Sequence, residues 1–318
     1  MKTVLGIDIG GTFIKLGLVR GTKVLARNSL TTARLRNPKQ LVELIGGAVE
    51  DLLAGSKTKV AGAGVGVPGL VLYPKGIVRS VVNLKGRWKD VPLGSLLSRR
   101  LKVPVSVDND VNLMTLAEWK LGAGRGTRSL VCLTLGTGVG GGLVLDGHLY
   151  RGEKGAAGEI GHMPVVEEGL RCNCGGRGCL ERYVGNQEII RWVTGELRKG
   201  ARSVLPKLVG GDLRRLSPEV IDRGCELGDP LARATWARAG SQIGLALAGV
   251  VNLLAPERVV IGGGIAKAGP WLFGPMREVL RRRAMRGLRD IPLLPARLGG
   301  SAGMMGAALL AQGVGEAE

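Results

Sequence analysis

The sequence has no G-x4-G-K-[ST] phosphate loop, no C-x-x-C pair and only two histidines. The first absence excludes a P-loop nucleotide site, and the second makes a short redox motif a poor reading of the cysteines. The opening MKTVLGIDIGGT runs directly into a strand and a turn, without the apolar block and cleavage site of a secretory leader. The most apolar later segment, residues 243–256, is too short to span a bilayer and contains Asn252. A cytoplasmic protein with no membrane partner is the expectation. Acidic residues are scarce, 26 against 45 Lys and Arg, for a net charge of +19. Such a balance attracts polyanions such as nucleic acid, anionic lipid or polyphosphate. The basic residues are scattered, however, and the one dense run, REVLRRRAMRGLR (277–289), contains no aromatic stacking partner. It reads as the solvated face of a helix. A generally basic surface would raise the encounter rate with anionic ATP without conferring specificity.

A chain of 318 residues exceeds the usual size of a single core, so two domains are expected. Two segments look like copies of one design: GIDIGGTFIKLGLVRGTKVL from Gly6 and LTLGTGVGGGLVLDGHLY from Leu133. Both read G-T-x4-G-L-V, an apolar strand, a glycine-rich bend and a second strand closed by a turn. Duplicated α/β halves are implied, with domains over 1–121 and 122–318 and a C-terminal helix over 301–318 able to pack back on the first. VAGAGVGVPG (60–69), VPVSVDND (103–110) and ERVVIGGGIA (257–266) read as strands running into loops. Helices are expected over PKQLVELIGGAVEDLLA, VNLMTLAEWKLGAG, SQIGLALAGVVNLL and SAGMMGAALLAQ, the last with small residues that permit close packing.

Glycines at Gly10 and Gly11, and at Gly136, Gly138, Gly140 and Gly141, remove the Cβ atoms that would keep a phosphate from the main-chain N–H groups. Thr12 and Thr137 add hydroxyl donors. Asp8 is acidic where acid would repel phosphate, a conflict that a Mg²⁺ ion between the two resolves. Either bend alone could be a plain hairpin, but the repeated Gly-Thr and the aspartate favour nucleotide. The pattern resembles the actin-like and hexokinase-type ATPases. In VDNDVN, Asp108, Asn109 and Asp110 stand where a strand gives way to a helix. Helix capping explains such residues. So does phosphoryl transfer to an alcohol, which needs a carboxylate to receive the hydroxyl proton. His162, Cys172, Cys174 and Cys179 have the number and spacing of ligands for a closed, structural Zn²⁺ site. Cys172 and Cys174 are too close to pair comfortably as a disulfide. Cys132 and Cys225 read as core residues, and His148 as a surface one.

Taken together, DIGGT, VDNDVN, LGTGVGGG, GEIGH and CNCGGRGCLE, with IGGG further on, resemble the ROK family of sugar kinases and repressors. The resemblance implies two actin-like (ribonuclease H-like) α/β ATPase domains, mixed sheets with flanking helices and an active site in the interdomain cleft. It implies ATP-dependent phosphorylation of a hexose or N-acetylhexosamine, with glucose first by family frequency and N-acetylglucosamine, N-acetylmannosamine, mannose and fructose as alternatives. Asp110 would be the base. Gly69, Asn83, Asn109, Glu159, His162 and Glu181 would contact the sugar. ATP would lie on Asp8, Gly10, Gly11, Thr12, Gly136, Thr137, Gly138, Val139, Gly140, Gly141, Gly263 and Gly264. Zinc would sit on His162, Cys172, Cys174 and Cys179, and magnesium at Asp8 through water. The family also implies a homodimer or tetramer. A sugar-responsive repressor is the rival of another class. A first strand starting near residue 3 argues against the N-terminal helix-turn-helix such repressors carry, and specific nucleic acid is not an expected partner. A polyphosphate-dependent glucokinase is a minor rival.

Overall fold

The computed structural model describes residues 1–314 apart from 34, 57, 82 and 83. The first half forms β1 (Thr3–Ile9), β2 (Phe13–Arg20), β3 (Lys23–Thr31), β4 (Val60–Val67), the small hairpin β5 (Leu70–Leu72) and β6 (Ile77–Ser80), and β7 (Val105–Asn109). Its helices are α1 (Pro38–Leu53), α2 (Leu93–Leu101) and α3 (Asp110–Leu121). The second half contributes β8 (Leu130–Leu135), β9 (Val139–Leu145), β10 (His148–Tyr150), β11 (Arg258–Gly262) and β12 (Leu293–Pro295). Between and after them lie α4 (Glu181–Val184), α5 (Asn186–Arg198), α6 (Leu205–Leu208), α7 (Pro218–Glu226), α8 (Pro230–Leu254), α9 (Pro270–Arg283) and α10 (Ala302–Ala311).

The two large sheets share one plan. Their orders are β3-β2-β1-β4-β7 and β10-β9-β8-β11-β12. In each, three strands run parallel, β1 with β4 and β7, and β8 with β11 and β12. The repeated G-T-x4-G-L-V falls on the β1–β2 bend and the β8–β9 bend. The period-2 alternation of a strand explains the first sheet's sequence. Leu5, Ile7 and Ile9 of β1, with Ala63, Val65 and Val67 of β4, enter the larger core beside α1 and α2 residues such as Leu41, Ile45, Leu93 and Leu97. The intervening Gly6 and Gly64 face α10, where a Cβ would strike the carbonyl oxygens of Met304 and Ala307. Gly306 likewise lets α10 meet the backbone of α3 at Leu113. The small residues of both strand and helix thus bring backbones together.

The chain divides into two compact units. One comprises Met1–Arg128, Gly142–Gly158 and the chain from Arg297 onward; the other comprises Ser129–Gly141 and Glu159–Ala296. A single cut after residue 121 therefore differs from this division, which runs through β9 and returns a later segment to the first unit. In the first unit, the fully buried Glu118 accepts hydrogen bonds from the N–H groups of Ala123, Arg297 and Leu298, at 2.9, 3.1 and 2.8 Å. This carboxylate pins the returning chain just before α10. In the second unit, α8 is longer than the apolar run at 243–256 suggested, because it begins at Pro230 behind an Asp229 cap. By length and composition alone it could cross a membrane, but half of its apolar window is buried within the protein. Gly240 and Gly244 bring it against the backbone of α9 at Leu272 and Met276. The arginines of α9 are exposed, with Arg281 and Arg282 paired to Asp290 and Glu278, as expected of a solvated helix face.

Candidate functional site

The first unit collects polar groups where β7 ends and α3 begins. Asn109 is the helix cap, its Oδ1 accepting from the N–H groups of Val111 and Asn112 at 2.8 and 3.1 Å. Its Nδ2 donates to the carbonyl of Gly69 at 3.0 Å, which fixes the turn between β4 and β5. The capping role is therefore real, and it leaves the amide one N–H for a ligand. Asp110 opens α3 with Oδ1 accepting from Val111 N–H at 3.0 Å, half-buried on the helix's first turn.

Beneath them Asp108 is fully buried. Its Oδ1 accepts from Asn109 N–H and Asn112 Nδ2 at 2.7 and 3.0 Å, and its Oδ2 accepts from Arg151 Nε at 2.6 Å. The Arg151 guanidinium also lies over the Tyr73 ring, 3.9 Å from its centroid, and its Nη2 is buried without a hydrogen-bond partner. A buried ion pair thus anchors the strand end that presents Asn109 and Asp110. Nothing in LYRGEKG marks Arg151 in the sequence, because the pairing partner lies far away in the chain.

The first glycine bend is tight: Gly10 N–H donates to Phe13 O at 2.8 Å, leaving Gly11 and Thr12 exposed. Thr32 braces it from β3's end, its hydroxyl donating to Gly11 O at 2.6 Å and its N–H to Thr12 O at 2.9 Å. Asp8 and Lys15 are register partners on β1 and β2. Asp8 faces Gly303 in the first turn of α10, where a Cβ would strike the carboxylate. Burial pushes the Asp8 carboxyl above its ordinary range, while the Lys15 ammonium draws it partly back. Lys15 Nζ donates to Gly300 O at 2.9 Å. One carboxylate oxygen set at a glycine bend suits Mg²⁺, which keeps most of its water shell.

The second bend, in the other unit, closes with Gly136 N–H donating to Gly138 O at 3.0 Å, and Gly140 and Gly141 continue into β9. At the end of β11, Gly263 takes φ 90°, and a side chain there would also strike Leu135 O. Gly264 follows at the head of a short helical turn, Ile265–Ala268.

The cysteine segment is stitched by its own backbone. Val165 N–H donates to Gly178 O, Gly178 N–H to Leu170 O and Cys172 N–H to Gly176 O, at 2.8, 2.9 and 2.8 Å. The Tyr183 hydroxyl accepts from Leu170 N–H at 2.9 Å. Within this frame the ligand atoms of His162, Cys172, Cys174 and Cys179 all lie within 4.8 Å of one another. Cys174 and Cys179 sulfurs are 3.7 Å apart, and Cys172 Sγ is 3.6 Å from His162 Nδ1. All the cysteines are free, and a disulfide would need sulfurs at about 2 Å. A tetrahedral ion with Zn–S of about 2.3 Å and Zn–N of about 2.0–2.1 Å places its ligands about 3.8 and 3.6 Å apart. The cluster is compatible with structural zinc on that geometry.

His162 turns Nε2 the other way, 3.8 Å from Glu159 Oε2. Burial pushes the Glu159 carboxyl up, opposed by His162. Glu181, at the start of α4, accepts from Val139 N–H at 2.9 Å. Asn83 lies outside the described residues. Cys132 and Cys225 are buried in the core, and His148 is exposed.

A profile of the ROK family matches residues 4–314. The chain belongs to the ROK family. The ROK chain is 34% identical over 308 residues to a glucokinase of Halalkalibacterium halodurans, which covers 95% of this chain and 92% of that one. A solved ROK family glucokinase from Streptomyces griseus, in complex with glucose and AMPPNP, matches with a TM-score of 0.85 at 32% identity over 98% and 99% of the two chains. A ROK family transcriptional regulator, homologous to the Escherichia coli MLC protein, matches with a TM-score of 0.89 at 29% identity, over 98% of this chain and 78% of that one. The two matching five-stranded sheets are those of the two-domain, actin-like ATPase fold. Within this ROK protein, sequence reasoning missed Arg151, Glu118, Thr32 and the tie between Glu181 and Val139. Each is a long-range partnership with no local spacing to announce it.

Proposed function

We propose that this protein is an ATP-dependent sugar kinase and that its acceptor is glucose, phosphorylated at the 6-hydroxyl. The observation that carries the reading is the full-length likeness to a glucokinase holding glucose and AMPPNP. It is supported by Asp110 on the first turn of α3 in the company of Asn109 and Gly69. Asp110 takes the proton of the attacking hydroxyl as its oxygen forms a bond to the γ-phosphorus and the bond to the β-γ bridging oxygen breaks, releasing ADP. The N–H groups and threonines of the two glycine bends hold the phosphates, and Gly263 and Gly264 border the adenosine. Mg²⁺, held at Asp8 through water, would supply charge neutralisation for the triphosphate. Asn109, Gly69, Glu159, His162 and Glu181 hold sugar hydroxyls.

Zinc on His162, Cys172, Cys174 and Cys179 takes no part in the chemistry; it fixes the segment from which Glu159 and Glu181 project. The protein works in the cytoplasm, as an oligomer.

An ADP-release assay across glucose, mannose, fructose, N-acetylglucosamine and N-acetylmannosamine, with ATP or polyphosphate as donor, tests the reading. Glucose with ATP is expected to give the highest kcat/KM, and transfer to no sugar would overturn it. The likeness to a transcriptional regulator, together with the charge of +19, gives a second reading as a DNA-binding repressor. Its signature is sequence-selective gel-shift binding that survives added salt, since purely electrostatic binding does not. For the metal, elemental analysis is expected to find about one zinc per chain, and Cys174→Ser to weaken both zinc retention and glucose affinity by about 10–100-fold. Protein free of zinc with unchanged glucose affinity removes the metal from the site.

A further inference from the structure

The second glycine bend rests on both ends of the cysteine segment. Val139 N–H donates to Glu181 Oε2 at 2.9 Å, and Asn186 N–H donates to Gly136 O at 2.9 Å. The Glu181 carboxylate occupies the space that a Cβ at Gly138 would take. On the other side Gly161, between Glu159 and His162, fits beneath Val139 O, which any side chain there would strike. The bend is therefore gripped by the residues that flank the histidine and the last cysteine, and one of the grips carries a negative charge.

That charge is out of place for a phosphate loop. A carboxylate on a main-chain N–H of the bend takes up a donor and repels an incoming triphosphate. A carboxylate has two oxygens, however, and one engaged by Val139 leaves the other for a hydroxyl. A hydroxyl donating to that second oxygen withdraws charge from the first and so weakens its opposition to phosphate.

We propose that Glu181 couples the acceptor site to the nucleotide site. Its Oε2 holds the second bend through Val139, its Oε1 receives a sugar hydroxyl, and the sugar's arrival raises the affinity of the bend for the triphosphate. The proposal rests on the sugar-kinase reading and goes beyond it in giving the binding an order: nucleotide binds well after sugar and poorly before it. Linkage makes the effect reciprocal, so nucleotide raises sugar affinity by the same factor.

The test measures the affinity of the full-length protein for a non-hydrolysable ATP analogue with Mg²⁺, with and without glucose. For the wild type, saturating glucose is expected to tighten the analogue by about 5-fold or more. Glu181→Gln keeps an oxygen for Val139 N–H but loses the charge. It is expected to bind the analogue several-fold more tightly than wild type without sugar, with the glucose effect reduced below about 2-fold. A residue that merely supported the bend would give the opposite sign, weaker nucleotide binding in the glutamine variant. Gly138→Ala, whose methyl group displaces the carboxylate, is expected to reduce the glucose effect in the same way.

A glutamine variant with the wild-type glucose effect, or a wild type that phosphorylates glucose without any such effect, overturns the coupling while leaving the kinase reading intact. Failure to phosphorylate any sugar overturns both.

Discussion

Asp110→Ala is expected to lower kcat for glucose phosphorylation by ~10²–10⁴ and to leave the affinity for an ATP analogue within about 2-fold of wild type. The size follows from the role: a hydroxyl is a poor nucleophile until its proton has somewhere to go. The selectivity follows from the location. Asp110 is the first residue of α3, and the cap that orders this helix is the neighbouring Asn109, whose Oδ1 binds both Val111 and Asn112. Removing the Asp110 carboxylate therefore leaves the helix start in place. Asp110→Asn should be as slow as the alanine variant, since an amide of the same shape cannot take the proton. Single-turnover measurement with saturating glucose and ATP separates the chemical step from binding. A variant that retains more than about half the wild-type rate removes Asp110 from the role.

Arg151→Met should cost about 3–5 kcal/mol of stability, the range for breaking a buried ion pair on one side. Only 14% of the Arg151 side chain and 2% of the Asp108 side chain are exposed, so water cannot replace the lost partner. Denaturant unfolding reads the loss directly. Adding Asp108→Asn to the same chain should recover a good part of it, because the stranded charge is then gone. The single variant should also turn over more slowly, since Asp108 binds the N–H of Asn109 and so helps to orient Asp110. A single variant within about 0.5 kcal/mol of wild type would show that the pair contributes nothing of consequence.

These two residues illustrate what the sequence can and cannot convey. Asp110 stands in a hexapeptide whose residue types announce either a helix cap or a proton acceptor, and the structure shows the cap function on its neighbour. The cysteines and His162 are legible because ligand spacing is local. The duplicated hairpins are legible because an alternating apolar pattern with Gly-Thr at each bend recurs, and the two sheets do share one strand order. Arg151 is silent, because it belongs to the segment 142–158 that leaves the second half of the sequence to join the first unit. No composition shift marks that return. The start of α8 is silent for a different reason: LARATWARAG mixes arginines with small residues, so the apolar run becomes visible only a few turns into the helix. Glu118 is hidden in another way, a charged residue on a helix that reads as solvent-facing until Arg297 and Leu298 arrive to donate to it.

That arrival governs how the molecule is made. Val4 and Val19 of the first sheet share a core with Ala302, Met304, Met305 and Ala308 of α10. A ribosome delivering this chain finishes these two strands early but supplies their last cover only after residues 159–296 of the second unit have been made. Until then the part of that face not covered by α3 stays open to chaperones or to a neighbouring nascent chain, while the second unit already has all of its strands and helices.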